Sequence, residues 1–211
     1  MVHWKFNEAE GPLALDSSAK NNIGALMGDL QRYGPPGDRW LRFRGAQQVV
    51  GPDALVDTDQ GFTLAAWASI HDVTRSCTVL SEDGRNTSGF SLRYDASSRH
   101  WTLAMPVADS SAARVDIVSS ASTPTPYTWT HLIAAFDDVH NELQLYVDGV
   151  LQGTAGHTHT WRASGPFVVG RGMALGAPGH FCEGDLDGIR AYPYSMNTHQ
   201  VSELYATLGK E

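Results

Sequence analysis

Cysteine is nearly missing from this chain: Cys77 and Cys182 are the only two among 211 residues. Neither has a second Cys or a His at ligand spacing, which argues against a metal site built on thiolates. Two readings of the pair stay open, a disulfide or two buried free thiols. A bond between them closes a loop of about 105 residues and is worth on the order of 4 kcal/mol in the chain-entropy model. Both cysteines lie in apparent strands and nothing else in the chain gives either a role. The expectation is therefore a disulfide pinning a middle strand to the C-terminal one. Runs of Lys or Arg are missing as well, and 15 basic against 23 acidic residues leave a net charge of −8. Such a composition offers no electrostatic footprint for phosphate backbones, so nucleic acid and anionic membranes are not expected partners. No apolar stretch approaches the roughly 20 residues of a membrane span. The opening MVHWKFNEAEG has neither the basic start nor the apolar middle of a signal peptide. The chain is then either cytosolic or an excised, mature domain of a larger protein.

What is present is a core. A hydrophobic content of 42% over this length suffices for one compact unit spanning residues 1–211. Strand signals recur at short intervals. FTLAAWASI sets Phe62, Leu64, Ala66, Ala68 and Ile70 against Thr63, Ala65, Trp67 and Ser69, a period of two. GFSLRYD repeats it with Phe90, Leu92 and Tyr94, HWTLAMPV with Trp101, Leu103 and Met105, and ELQLYVDG with Leu143, Leu145 and Val147. Trp101 and Trp129 read as core. Asp148-Gly149 between two apolar runs predicts a type I′ hairpin, since both central residues of that turn need positive φ. Asp83-Gly84 and GPPGDRW mark further turns. One helix is expected, in MNTHQVSELYATLG: Asn197 caps, Gln200 reaches back, and Val201, Leu204, Tyr205 and Leu208 make one stripe before Gly209. Many short antiparallel strands with a short C-terminal helix predict an all-β, two-sheet sandwich or jelly roll.

The series HWKFNEAEGPLALDSSAKNNIGAL, FTLAAWASI, CTVLSEDG, SGFSLRYD, YTWTHLIAAFDDVHNELQLYVDGVLQG, FVVGRG and FCEGDLDGIRAYPYSMNTHQVSELY resembles, from end to end, the laminin-G-like jelly-roll domains of the concanavalin A-like lectin/glucanase superfamily. The resemblance implies two curved antiparallel sheets serving as an appended binding or adhesion module, often with one calcium ion near the chain ends. It implies a non-enzymatic role, with a glycan or an extracellular protein as partner, in a secreted or cell-surface protein. A structural or protein-contact domain without sugar binding is the rival reading.

FCEGDLDGIRAY places Glu183, Asp185 and Asp187 on one strand face. Glycoside hydrolases of this superfold resemble E-x-D-x-E there. Asp187 stands where the second glutamate belongs and is one methylene shorter, so the two carboxyls that retaining catalysis sets about 5 Å apart are not matched. The calcium reading draws on LDSSAKNNIG, which resembles the family loop D-S-S-G-N-x-N-x-G but departs from it at Ala19 and Lys20. Asp16, Asn21 and Asn22 supply oxygens, and Asp185 or Asp187 completes the shell if the first and last strands are neighbours. An Asx-turn capped by Asp16 with no metal fits the same residues. For a ligand, Trp67 and Tyr146 point away from the core and stack sugars, with Arg93 and His131 donating hydrogen bonds; alternatively both aromatics fill a second layer of the sandwich. His157, His159 and His180 offer a transition-metal pair or, equally simply, solvated loop side chains. Asn86-Thr87-Ser88 is a sequon beside a turn.

Overall fold

The computed structural model describes residues 1–207, and its strands form two eight-stranded antiparallel sheets. The first runs β14 (Val150–Gly156), β13 (Glu142–Val147), β12 (Thr130–Asp137), β7 (Phe62–Ile70), β18 (Glu183–Tyr192), β5 (Trp40–Arg44) and β4 (Gln31–Tyr33), with β1 (Val2–Trp4) paired to the far end of β18. The second runs β11 (Val115–Ser119), β10 (His100–Pro106), β9 (Ser88–Asp95), β8 (Cys77–Asp83), β15 (Phe167–Val169), β6 (Gln48–Val50), β3 (Gly24–Met27) and β2 (Leu13–Ala14). A small hairpin, β16 (Gly172–Ala174) and β17 (Ala177–Gly179), stands outside both. The first and last strands are neighbours, Trp4 opposite Ile189.

Alternation decides what each strand buries. Phe62, Leu64, Ala66, Ala68 and Ile70 of β7, Phe90, Leu92 and Tyr94 of β9, and Trp101, Leu103 and Met105 of β10 all enter one apolar core between the sheets. Trp129 does not: it is half-buried and meets Trp40 edge-on at 5.9 Å. A partner ring outside the core satisfies it instead. On β18 a bulge between Asp187 and Arg190, made where Gly188 adopts φ 57°, resets the alternation so that Leu186, Ile189 and Ala191 all face inward.

The hairpin at Asp148-Gly149 has positive φ at both residues, 49° and 77°. Gly149 serves a second purpose, because a Cβ there would lie 2.5 Å from the Tyr205 ring. That ring belongs to α1 (Thr198–Thr207). The helix starts on a reciprocal cap, the Gln200 N–H donating to Asn197 Oδ1 and the Asn197 N–H to Gln200 Oε1, both at 3.0 Å. Val201 and Leu204 pack over Ala65, Ile133, Tyr146 and Met196 on the outer face of the first sheet. Leu208 and Gly209, expected to finish the helix, lie outside the described residues.

Cys77 at the start of β8 is bonded to Cys182, the residue before β18. The bond ties one sheet to the other across a separation of 105 residues. Replacing both cysteines by serine is expected to lower unfolding free energy by about 4 kcal/mol, measured by urea denaturation. Unchanged stability refutes a structural role for the bond.

Two buried titratable groups pull stability in opposite directions with pH. Glu82 is fully buried under residues 55–56, whose N–H groups donate to its Oε2 at 2.8 and 3.2 Å, and burial pushes its pKa up to about 8. His131 is buried between Trp67 and Tyr205, and burial, then the charge of Arg190, pushes its pKa down to about 4. For Glu82 the folded state holds a proton that the unfolded chain loses above its ordinary value of 4.5, so this stability falls as pH rises to about 8. For His131 the unfolded chain binds the extra proton, so stability falls as pH drops from 6.5 to about 4. The two slopes oppose each other below 6.5, and above it only Glu82 of the pair acts. Unfolding free energy should therefore decline between pH 6.5 and 8, and Glu82→Gln, which keeps an acceptor for both N–H groups, should remove most of the decline, the exposed His140 with its raised pKa contributing a small remainder. The same decline in the variant sinks the assignment.

Candidate functional site

The outer face of the second sheet carries a groove of about 210 Å³. Side chains that alternate away from the core run in cross-strand rows, Thr78 with Arg93 in one and Ser91, Ala104 and Ile117 in the next, and these line the groove. Apart from Arg93 the floor residues Thr78, Ser91 and Ala104 are small, which leaves a depression. The β16–β17 hairpin forms one wall. The Met173 N–H donates to Ser88 Oγ at 2.9 Å, and at the hairpin's end the Thr78 N–H donates to the His180 carbonyl at 3.0 Å. Gly172 lies so close that a Cβ would stand 3.3 Å from Thr78 Oγ1. The edge strand β11 forms the other wall with Val115 and Ile117, 44% and 46% exposed.

Polar atoms are left over in this groove. Thr78 Oγ1 and Arg93 Nε are buried and take no hydrogen-bond partner among the described residues. The two residues are register partners on adjacent strands. His180, exposed at the rim, has its pKa lowered by partial desolvation of the ring and then by the Arg93 charge, while Asp95 opposes the shift. Among the described residues no carboxylate lines the groove.

The first sheet's outer face is built differently. Trp67, His131 and Tyr146 share it, but α1 roofs it: His131 is 0% and Tyr146 1% exposed, while Trp67 is half-buried against the His131 ring at 4.8 Å. The structure thus brings Trp67, His131 and Tyr146 together as a packed second layer and sets Arg93 on the opposite sheet. The acids of FCEGDLDG also lie on this covered face. Asp185 receives Arg42 in a two-pronged pair at 2.7 and 2.9 Å, with His71 Nε2 at 3.2 Å. Arg42 in turn lies 4.2 Å over the Tyr33 ring, and the exposed Tyr127 stacks on His71. Asp187 is fully buried and accepts the Gly188 N–H at 2.7 Å. Glu183 is half-buried at the strand end, 3.9 Å from Arg75.

Asp16 organises its own loop. Its Oδ1 accepts the N–H groups of His3 and Ser18 at 2.9 and 2.8 Å, and its Oδ2 accepts Ser18 Oγ and the Asn22 N–H at 2.8 and 3.0 Å. Burial would raise its pKa, but these hydrogen bonds prevail and lower it. The Asn22 side-chain amide donates to the Met1 carbonyl, and Asn21 is exposed at φ 59°. This is the Asx-turn arrangement. His157, read from sequence as a loop ligand or a solvated side chain, is fully buried, its Nδ1 3.0 Å from Asp116 and its ring edge-on to Phe136. His159 is exposed. Parity alone would have pointed to Thr78, Ser91 and Ala104 as outward-facing; the wall supplied by residues 172–179 has no local signal.

Residues 43–202 match the family model Laminin_G_3, described as the concanavalin A-like lectin/glucanases superfamily. The chain belongs to this family. No curated protein matches its sequence. Among solved structures it is similar to domain 4 of AbnA, a GH43 extracellular arabinanase from Geobacillus stearothermophilus, in complex with arabinotriose (TM-score 0.66, 18% identity, 97% of each chain). It is also similar to the binding domain of botulinum neurotoxin DC in complex with rat synaptotagmin II (TM-score 0.73, 12% identity, 99% of this chain and 51% of the other). A third is from a study of botulinum neurotoxin type C whose cell entry depends on interaction with two ganglioside molecules (TM-score 0.70, 12% identity, 99% and 51%). The chain spans about half the length of the two toxin structures, and at these identities the likeness is one of fold.

The calcium shell expected from the laminin-G resemblance needs Asp16 beside Asp185 or Asp187. Among the described residues no group of three or more His, Cys, Asp or Glu side chains converges as a metal shell, so Asp16 does not meet Asp185 and Asp187. Each carboxylate already has donors or a cation, and an ion would have to displace them. Thermal midpoints in calcium and in EDTA are expected to coincide; a rise in calcium with stoichiometric metal by elemental analysis would overturn this.

Proposed function

We propose that this laminin-G-type domain is a non-catalytic module that binds a glycan in the groove across β8, β9, β10 and β11. The observation that carries the reading is the groove itself: a floor of small side chains, buried polar atoms of Thr78 and Arg93 without partners, and apolar walls. A buried polar group lacking a hydrogen bond is costly, and hydroxyl-rich ligands supply both donors and acceptors. A shallow cleft with a few convergent polar groups is the usual form of such a site. Glycoside hydrolysis would need two carboxyls flanking the bond. Here the acids of β18 lie on the opposite sheet, Asp185 held by Arg42, and none lines the groove.

The fold neighbours include one protein described with arabinotriose and one tied to gangliosides, which supports a glycan as the partner class. The disulfide supports an oxidising compartment. The module then belongs to a secreted or cell-surface protein of greater length. A protein partner is the second reading, because edge strand β11 exposes Val115 and Ile117 and one neighbour is described with synaptotagmin II.

A glycan array followed by calorimetry tests this. Arg93→Ala should weaken binding about tenfold or more through loss of a charge-assisted hydrogen bond. Ala104→Trp should abolish it by filling the groove. Trp67→Ala should leave affinity unchanged, since Trp67 stands on the other sheet. Silence across the array, or full binding by a folded Ala104→Trp variant, rejects the site and leaves the protein-contact reading.

A further inference from the structure

Charge in the groove is opposite to charge in the chain. The whole sequence carries 23 acids against 15 basic residues, yet the ionisable side chains lining the groove are Arg93 and His180, with no carboxylate among them. Arg93 makes no ion pair among the described residues, and its Nε is buried without a partner. The acid nearest in sequence on the same face, Asp95, is occupied by hydroxyls, accepting Ser97 Oγ at 2.8 Å, Ser98 Oγ at 3.0 Å and Ser76 Oγ at 3.4 Å. It therefore tempers the field without forming a salt bridge to Arg93. A guanidinium half-removed from water with no carboxylate in salt-bridge contact costs stability unless a ligand provides one. Its planar fork suits a carboxylate, which takes two parallel N–H bonds.

Resting on the glycan reading of this groove, we infer that its ligand is an acidic sugar whose carboxylate ion-pairs with Arg93 while Thr78 and His180 hydrogen-bond the adjoining hydroxyls. The rows of the sheet set the geometry. Thr78 and Arg93 stand opposite each other in register, so a carboxylate on Arg93 puts the ring over Thr78 and Ser91. The apolar edge of the ring then meets Met173 and Ile117 on the walls. The uronate or sialate residue occupies the end at Arg93.

Two matched pairs of probes test the inference by calorimetry: trigalacturonate with its methyl ester, and sialyllactose with lactose. The acidic member of at least one pair should bind tenfold or more tightly than its neutral counterpart, with affinity falling as salt rises. Arg93→Ala should bring that pair within about twofold, and Arg93→Lys should keep part of the difference, because a lysine retains the charge and loses the fork. Equal binding of acid and neutral members that is lost in Ala104→Trp overturns the acidic-sugar inference and leaves glycan binding standing. So does a failure of all four probes while neutral glycans register on the array. An acid preference that survives Arg93→Ala overturns the role given to Arg93.

Discussion

Strand β18 occupies a place in the first sheet on which much else depends, because it pairs with β7 along one side and with both β5 and β1 along the other. Its alternation is forced by the core. Leu186, Ile189 and Ala191 must face inward, and the Gly188 bulge lets them do so across an odd spacing. Asp185, Asp187 and Arg190 are consequently turned to the outer face. The residue just before the strand, Cys182, is carried to β8 and bonded to Cys77. One register thus joins the chain ends, locks the two sheets and removes the acids from the groove.

The two outer faces show what such a constraint leaves free. On the first sheet, Ala65, Ile133 and Tyr146 are apolar or aromatic, and α1 closes over them. Gly149 makes the closure possible at the Tyr205 ring, where any side chain would collide. On the second sheet the corresponding positions are Thr78, Ser91 and Ala104, with no helix above them. The same sandwich therefore has one face finished as a second small core and the other left as a cleft.

Charge is treated in the same economical way. Cations in the sandwich are met by acids: the buried Arg171 pairs with Asp83 at 2.6 Å and donates its Nε to Gln48 at 2.7 Å, and the half-buried Arg42 pairs with Asp185. Glu82 and His131 avoid the problem by being neutral over the pH range in which their unfolded counterparts are charged. Arg93 follows neither pattern: it lies in a cleft rather than in the core, half-buried, and makes no salt bridge among the described residues.

What the sequence determined by itself is whatever the local backbone dictates. Period-two runs assigned the inward residues of β7, β9, β10 and β13, Asp148-Gly149 specified its turn, and Asn197 with Gln200 specified the helix start. Each depends on residues a few positions apart, and pleat, φ and capping are local physics. The disulfide was reachable because only two cysteines exist. Tertiary structure decided the rest. Parity shows that Trp67 and Arg93 both point away from the core, but it does not say that they lie on different sheets, since sheet membership is set by hydrogen bonds between strands far apart in sequence. Nor does it show that α1 covers one outer face while residues 172–179 wall a cleft on the other. Asp16, Asp185 and Asp187 have the right chemistry for a shared cation, yet nearer donors claimed each of them first: Ser18 and Asn22 for one, Arg42 for the second, the Gly188 N–H for the third. Composition supplies the ligand atoms; only the fold decides which of them remain unpaired.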